Sequence, residues 1–443
     1  MKKEAFELRP RIGVGALSSP LEVGADQAAR VCDDLAALLR GNGCEALDLG
    51  VVDTPERAVA VGRKLAEAHV DAMCFAVPCW FEDYLVLDLL EECGVPILLR
   101  PLPGMETGAL CGTQQLTCYL KQLDVPFQST FGDLGDADCL RSSLVFLRGA
   151  ALKSRLRRAR IGLAGNRING MTHTSPNEFM LKKAIGPRVV MLDLPSLLQR
   201  ATEMPETEAR EHWDAMCGRA AACEVSDADG VDSMRVYGAI RELVETHGLQ
   251  ALTIGCYPHL MGRVCLAASL LADEGIPMAC EGDVHGAIGQ YLLQLLTAGP
   301  THNTDWLDPV DDESVVFTHC GSGSFSLAAN PQEIRLGSVR LMGQGACALF
   351  TGRTGPVTLI NINACPDGYQ CAVLEGEAIP TDMVFPGNPT RVRFDQPVSD
   401  LIEWIHEEGL GHHWMIGYGH VADEIRAWTR MAGQNLNLLK NGR

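Results

Sequence analysis

The first hundred residues alternate between short apolar runs and amphipathic stretches, and this alternation narrows the possible folds more than any other feature of the chain. RIGVGAL (11–17), EALDLGVV (45–52), DAMCFAVP (71–78) and VPILLRPLP (95–103) read as strands. Between them lie segments near 23–41, 57–69 and 81–94 that carry Ala, Val and Leu at helical spacing. Near-continuous apolar strands joined by helices imply an open, mostly parallel sheet with helices on both faces. In such sheets ligands sit at the carboxyl ends of the strands, so loops holding Trp80 and Arg100 are candidates for substrate contact.

A second unit of the same kind begins with ARIGLAGNRINGM (159–171), after the basic helical segment LRGAALKSRLRRAR, which places a boundary near Arg157. It continues through RVVMLDLPSLL, a long helical stretch from about Thr207 to Gly248, LTIGCYP and IPMACEGD. Beyond about Gly299 helical periods give way to short strand-like runs such as SVVFTHCG, CALFTGRTGPVTLINI and TRVRF, closed by an amphipathic helix from about Ala422 to Met431. The expected architecture is α/β: two doubly wound parallel-sheet domains, a Rossmann-like one over 1–157 and a second over 158–300, then a β-rich, barrel-like domain over 301–443.

A formal charge of −19 without a dense Lys/Arg stripe argues against nucleic acid or an anionic membrane as partner, since phosphate-tracking surfaces rest on basic contacts. Seventeen cysteines scattered through long apolar segments read mostly as buried reduced thiols. The first residues lack a signal-peptide profile and no stretch approaches a transmembrane span, so the cytoplasm is the expected compartment.

Chemistry concentrates in the C-terminal half. IPMACEGDVHGAIGQYLL puts Glu281, Asp283 and His285 where an apolar strand meets a helix, a place where backbone N–H groups help to keep carboxylates ionised. The bland reading of any one of these acids is a helix cap. Asp305, 24 positions beyond Glu281, is expected in a polar turn, THNTDWLDP, where the bland reading is an Asx turn or loop acid. His319 ends the strand VVFTH, and a satisfied structural histidine is the ordinary reading there. GLGHHWMIGYGH groups His412, His413 and His420, and neighbours on an extended segment point oppositely, so one of His412 and His413 is expected to face a given metal. Two carboxylates with imidazoles suit Mn²⁺, or another divalent ion such as Co²⁺ or Mg²⁺, and no CxxC pair supports a structural zinc. Gly13-Val14-Gly15 lacks the third glycine and downstream acid of a dinucleotide fingerprint.

Taken together, CYPHLMGRVCLAASLLADEGIPMACEGDVHGAIGQYLLQLLTAG, the 24-residue offset of Asp305, FTHCGSGS and GLGHHWMIGYGH resemble the L-fucose and L-arabinose isomerase superfamily, nearer its fucose isomerase branch. ETGALCGTQQLTCYL and GLAGNRINGM have counterparts of the same kind. The resemblance implies a Mn²⁺ site made by Glu281, Asp305 and His413, with His319 matching a ligand of the arabinose branch and His412 contacting substrate. It also implies three domains, assembly as a homo-trimer or homo-hexamer with active sites at subunit interfaces, and aldose–ketose isomerisation of a monosaccharide through a cis-enediol, with Glu281 and Asp305 moving the proton. The chain is shorter than typical fucose isomerases, which leaves room for rebuilt substrate loops. Arg100, Gln114, Gln115, Asn166 and Arg167 lie in loops able to read hydroxyls or an anionic substituent, each being equally plausible as an ordinary surface or capping residue, and the choice among a neutral, a deoxy and an anionic (for example sulfonated) sugar is left open. The competing expectations are a catalytically silent sugar-binding or regulatory protein and a metal-dependent aldolase or hydrolase.

Overall fold

In the N-terminal segment each apolar run becomes a strand, and all but EALDLGVV are buried almost throughout. The computed structural model describes residues 6–433 and 435–439, and the chain divides into two compact units, one of Leu8–Arg155 with Asp423–Gly433 and one built mainly of Leu156–Ala422. In the first, β1 (Arg11–Leu17), β2 (Glu45–Val52), β3 (Ala72–Val77), β4 (Ile97–Pro101) and β5 (Phe127–Ser129) form a parallel sheet in the order β2-β1-β3-β4-β5. All six residues of β3 are buried, as a strand covered on both faces requires. The helices are α1 (Ala28–Gly41), α2 (Pro55–Ala68), α3 (Tyr84–Glu92), α4 (Ala109–Gln122) and α5 (Ala137–Arg158). Helix α2 starts where Thr54 accepts a hydrogen bond from the Arg57 N–H, with Pro55 preset for its first turn. Gly13 has a packing role: a Cβ there would come within 2.0 Å of Leu65 on α2, so the GVG run makes room for a helix.

The second unit opens with β6 (Arg160–Ala164), α6 (Glu178–Ala184), β7 (Arg188–Leu192), α7 (Leu194–Glu203) and α8 (Glu206–Cys217). There follow β8 (Ala222–Cys223), α9 (Asp227–His247), β9 (Ala251–Ile254), α10 (Cys265–Glu274), β10 (Met278–Ala279) and α11 (Val284–Thr297). Strands β10-β9-β6-β7 form a second parallel sheet. The single helix expected from about Thr207 to Gly248 is two, α8 and α9, interrupted by a turn that a Cys217–Cys223 disulfide closes and that lets β8 pair with a later strand.

The remaining elements are β11 (Thr301–Asp311), β12 (Ser314–Thr318), β13 (Arg335–Gly337), β14 (Cys347–Leu349), β15 (Gly355–Cys365), β16 (Gly368–Ile379), β17 (Thr390–Arg393), α12 (Val398–Glu407), β18 (His413–Tyr418), α13 (Ala422–Ala432) and β19 (Leu436–Leu439). Strands β15, β18, β11, β12, β17 and β16 pair antiparallel in a ring, because β16 also pairs with β15, and β19 adds to β16. Phe317, Val357, Leu359, Leu374, Val392, Trp414 and Ile416 share one core cluster of this ring, with Leu401 and Trp404 of α12. Both the second parallel sheet and the strand ring lie in one compact unit, and Ala427 and Met431 of α13 join the core of the N-terminal unit with residues of α1 and α5. Among the described residues no helix is long and apolar enough to cross a membrane.

Helix α11 positions the site. It is buried on every side from Val284 to Leu296, as expected for an element that carries no charged residue apart from a histidine. Gly289 of this helix lies against Met415 of β18 and Ile360 of β15, and Gln290 exchanges hydrogen bonds with Thr301 of β11. The helix therefore runs from the carboxyl end of the parallel sheet onto one face of the strand ring.

Candidate metal centre

Strand register brings the first ligand candidates together. Asp305 pairs directly with His413 across β11 and β18, and with Thr318 across β11 and β12, so that His319 follows just beyond the pair. The expectation that Asp305 sits in a polar turn is thus corrected. THNTD is the start of a strand in which Thr301, Asn303 and Asp305 alternate with His302, Thr304 and Trp306; Thr304 donates to the Trp414 carbonyl and Trp306 packs on Phe317, Phe394 and Trp414.

Glu281 arrives from the other side. The chain leaves β10, passes through Glu281 and Gly282 with φ of +64° and +76°, and enters α11 at Asp283. A glutamate held in the left-handed region costs on the order of 1 kcal/mol, and such strain is typical of functional positions. Asp283 is the cap of α11, accepting a hydrogen bond from the Gly286 N–H at 3.0 Å. Its other oxygen accepts the Nδ1–H of His413 at 2.9 Å. Since an ionised carboxylate only accepts, this contact leaves Nε2 of His413 as the ring nitrogen that could hold a metal.

Nε2 of His413 is buried, has no hydrogen-bond partner among the described residues, and points between Glu281 Oε2 at 3.4 Å and Asp305 Oδ1 at 3.5 Å. His412 Nε2 lies 3.8 Å from Asp305 Oδ1, and His319 Nε2 lies 4.0 Å from Asp305 Oδ2. Ligand atoms at about 2.1 Å from one ion stand about 3 Å apart at right angles, so the contacts of His413 with Glu281 and with Asp305 are each close to that spacing. Two overlapping sets share His413, one with Glu281 and His412, the other with Asp305 and His319. The orphaned imidazole nitrogen and the mixed oxygen and nitrogen donors fit a divalent ion of the Mn²⁺ kind.

The electrostatics agree with that fit. Burial alone would lower the pKa of His413, but contacts with Asp283 and Glu281 and the charge of Asp305 outweigh it and hold it at about 10. His319 is likewise held at about 9, burial being overcome by Asp305. Burial would raise Glu281 and Asp283, yet the contact with His413 holds both below their usual range. The cluster is built to hold positive charge between its carboxylates.

His412 departs from expectation. It precedes β18 at a bend of the chain, so its ring is not forced to the opposite side and lies tilted by 48° against His413, with 4.4 Å between centroids. It is the exposed member of the group, with 46% of its side chain accessible. His420 is not brought to the cluster, and its ring faces the Gly376 carbonyl. Asn166 and Arg167 lie in the loop after β6, whose Ile168 N–H donates to the Glu281 carbonyl at 3.2 Å. Trp80, Arg100 and Gln114 belong to the N-terminal unit. There Trp80 donates to Gln115 Oε1, Gln114 is exposed on α4, and Arg100 is fully buried at the end of β4. Arg100 donates to the Asp133 carbonyl and to Ser143, so it is a strand residue bonded internally where a loop residue was expected.

Two contacts escaped the sequence reading. Asp283 was singled out beside Glu281, with a helix cap as its plain reading, but its bond to His413 depends on a partner 130 positions away. His173, in the loop after β6, approaches the His412 ring edge-on at 5.6 Å and carries no local signature.

No known protein-family profile matches the chain. It is 24% identical over 373 residues to a sulfoquinovose isomerase of Alkalicoccus urumqiensis, covering 82% of this chain and 84% of that protein. The sulfoquinovose isomerase of Priestia aryabhattai is 24% identical with the same coverage. One from Clostridium sp. (strain MSTE9) is 25% identical over 319 residues, 70% of this chain and 71% of that protein. Each of these relatives bears the name of an aldose–ketose isomerase.

Proposed function

We propose that this protein is a divalent-metal-dependent aldose–ketose isomerase acting on a sulfonated monosaccharide of the sulfoquinovose type through a cis-enediol. Glu281, Asp305 and His413 would be the metal ligands, His319 a fourth, and His412 a substrate contact. The reading carries forward the likeness to isomerases of a modified sugar and the implied assembly into trimers or hexamers. The single observation that supports it most is the approach of Glu281 at 3.4 Å and of Asp305 at 3.5 Å, from separate segments, to the buried Nε2 of His413, which has no hydrogen-bond partner among the described residues.

Isomerisation moves one proton between C2 and C1 and one between the two oxygens, with no net change in composition. When bound, a divalent cation would supply the positive charge that stabilises the enediolate. Glu281 and Asp305 flank the cluster, both half-buried and open enough to meet a substrate carbon, and one carboxylate would remove the C2 proton that is then delivered to C1. Asp283 holds His413 in its tautomer, and the exposed His412 is placed to hydrogen-bond a sugar hydroxyl.

The test is ketose formation from a sulfonated aldose, with and without Mn²⁺ and after chelation, together with metal content. Metal-dependent ketose formation of unchanged mass supports the reading. Turnover that survives complete metal removal, or no ketose from any sulfonated aldose, overturns it.

A further inference from the structure

Resting on that reading, we infer that Arg167 is the residue that recognises the anionic substituent of the sugar. The chemical problem is one of charge. A sulfonate is anionic at every physiological pH, while the cluster it must approach is built from Glu281, Asp283 and Asp305 on a chain of net charge −19. A bound divalent ion is committed to the reacting end of the sugar, so the far end needs a cation of its own.

The loops at the carboxyl ends of β6, β7, β9 and β10 hold two arginines, and the Glu281 turn, which follows β10, is touched by the loop after β6 and by the last residue of β9. Arg263, after β9, is neutralised by a bidentate contact with Asp232 at 2.6 and 3.0 Å. Arg167, after β6, has no carboxylate partner among the described residues. Its guanidinium is held instead by neutral acceptors: Nε donates to Ser175 Oγ at 2.6 Å, and Nη1 to the carbonyls of Ile168 at 2.9 Å and Asn169 at 3.4 Å. A half-buried guanidinium held through Nε and Nη1, with no carboxylate partner among the described residues, keeps the N–H bonds of Nη2 for an anionic oxygen.

The same loop touches the cluster at both ends. The Arg167 backbone packs on Gly282, where a Cβ would come within 2.5 Å of the Arg167 Cα, and Ile168 donates to the Glu281 carbonyl. At its far end His173 meets His412. Arg167 is therefore anchored to the segment that positions Glu281, at a place where it reads the end of the sugar remote from C1 and C2.

The test compares a 6-sulfonated glucose with 6-deoxyglucose, by kcat/KM and by calorimetric binding, in the metal-loaded wild type, Arg167→Gln and Arg167→Lys. Arg167→Gln is expected to weaken the sulfonated sugar by about 10- to 100-fold, chiefly in KM, as loss of a charged hydrogen-bond pair predicts, and to leave the neutral sugar within about 2-fold. Arg167→Lys should recover part of the loss, and the melting temperatures of the variants report folding. A wild type that turns over the sulfonated sugar while Arg167→Gln keeps the full preference, or loses both sugars equally, overturns the assignment of Arg167 alone. A wild type that neither binds nor converts the sulfonated sugar overturns this assignment together with the function it rests on.

Discussion

Asp283 and His413 lie 130 residues apart in sequence and 2.9 Å apart in space, and the same carboxylate that caps α11 fixes the tautomer of the histidine. The pairing leaves no room for variation at Gly286, where a Cβ would approach Asp283 Oδ2 to 2.7 Å. Asp283→Asn keeps the shape and can still cap the helix, but it no longer holds a carboxylate against Nδ1. The expected outcome is a Mn²⁺ dissociation constant raised about 10- to 100-fold, with a smaller loss of stability. Metal affinity unchanged in a folded Asp283→Asn would show that His413 does not depend on this contact.

Metal and protons should compete. His413 and His319, raised from 6.5 to about 10 and about 9, both carry protons at neutral pH in the metal-free protein. Binding a cation through these nitrogens must expel them, so apparent affinity should rise with pH by up to about tenfold per unit for each proton, and calorimetry in buffers of different ionisation heat should count up to two. The stability consequence has the opposite sign. A folded-state pKa above the unfolded one contributes stability that is full below pH 6.5 and lost as pH rises through 9 to 10. The metal-free protein should therefore melt at progressively lower temperature from pH 6.5 to 10, and saturating Mn²⁺ should offset the fall. An affinity that is flat across pH 6.5 to 9 would remove these imidazoles from the metal.

Glu281→Gln removes a charge and leaves both volume and backbone conformation nearly as they are. The side chain is 18% exposed and belongs to the edge of the cluster, so the fold should survive with a melting temperature close to the wild type. If Glu281 moves the proton, kcat should fall by about 10²- to 10⁴-fold. Near-normal turnover would take Glu281 out of the mechanism.

What the sequence displayed was local. The mixed α/β character was legible from apolar runs such as DAMCFAVP, which are fully buried strands. Glu281 stood out because it closes one such run. Asp305 was singled out by its spacing but misread as a turn residue, since the five polar residues of THNTD conceal a strand whose register is set by β18 more than a hundred positions later. The disulfide turn inside 207–248, the bend that brings His412 back to Asp305, and the approach of His173 were hidden for the same reason: each is decided by partners distant in the chain.

The turn that carries Glu281 tolerates no side chain at the next position. Gly282 has φ +76°, and a Cβ there would come within 2.5 Å of Arg167 Cα and 2.7 Å of the Asn166 carbonyl, backbone atoms that cannot swing aside. Gly282→Ala therefore carries two costs, about 1–2 kcal/mol for the left-handed conformation and a displacement of the loop after β6. Gly43→Ala isolates the first, because Gly43 has φ +82° and open space where its Cβ would go. We expect Gly43→Ala to lower the melting temperature modestly with activity unchanged. Gly282→Ala should lower it further and cut kcat/KM at least about tenfold, because a shift of the Glu281 turn misplaces a reacting carboxylate. Equal effects from the two variants in melting and turnover assays would mean that the loop yields without moving Glu281, and the tight packing of 166–168 on that turn would then have no catalytic consequence.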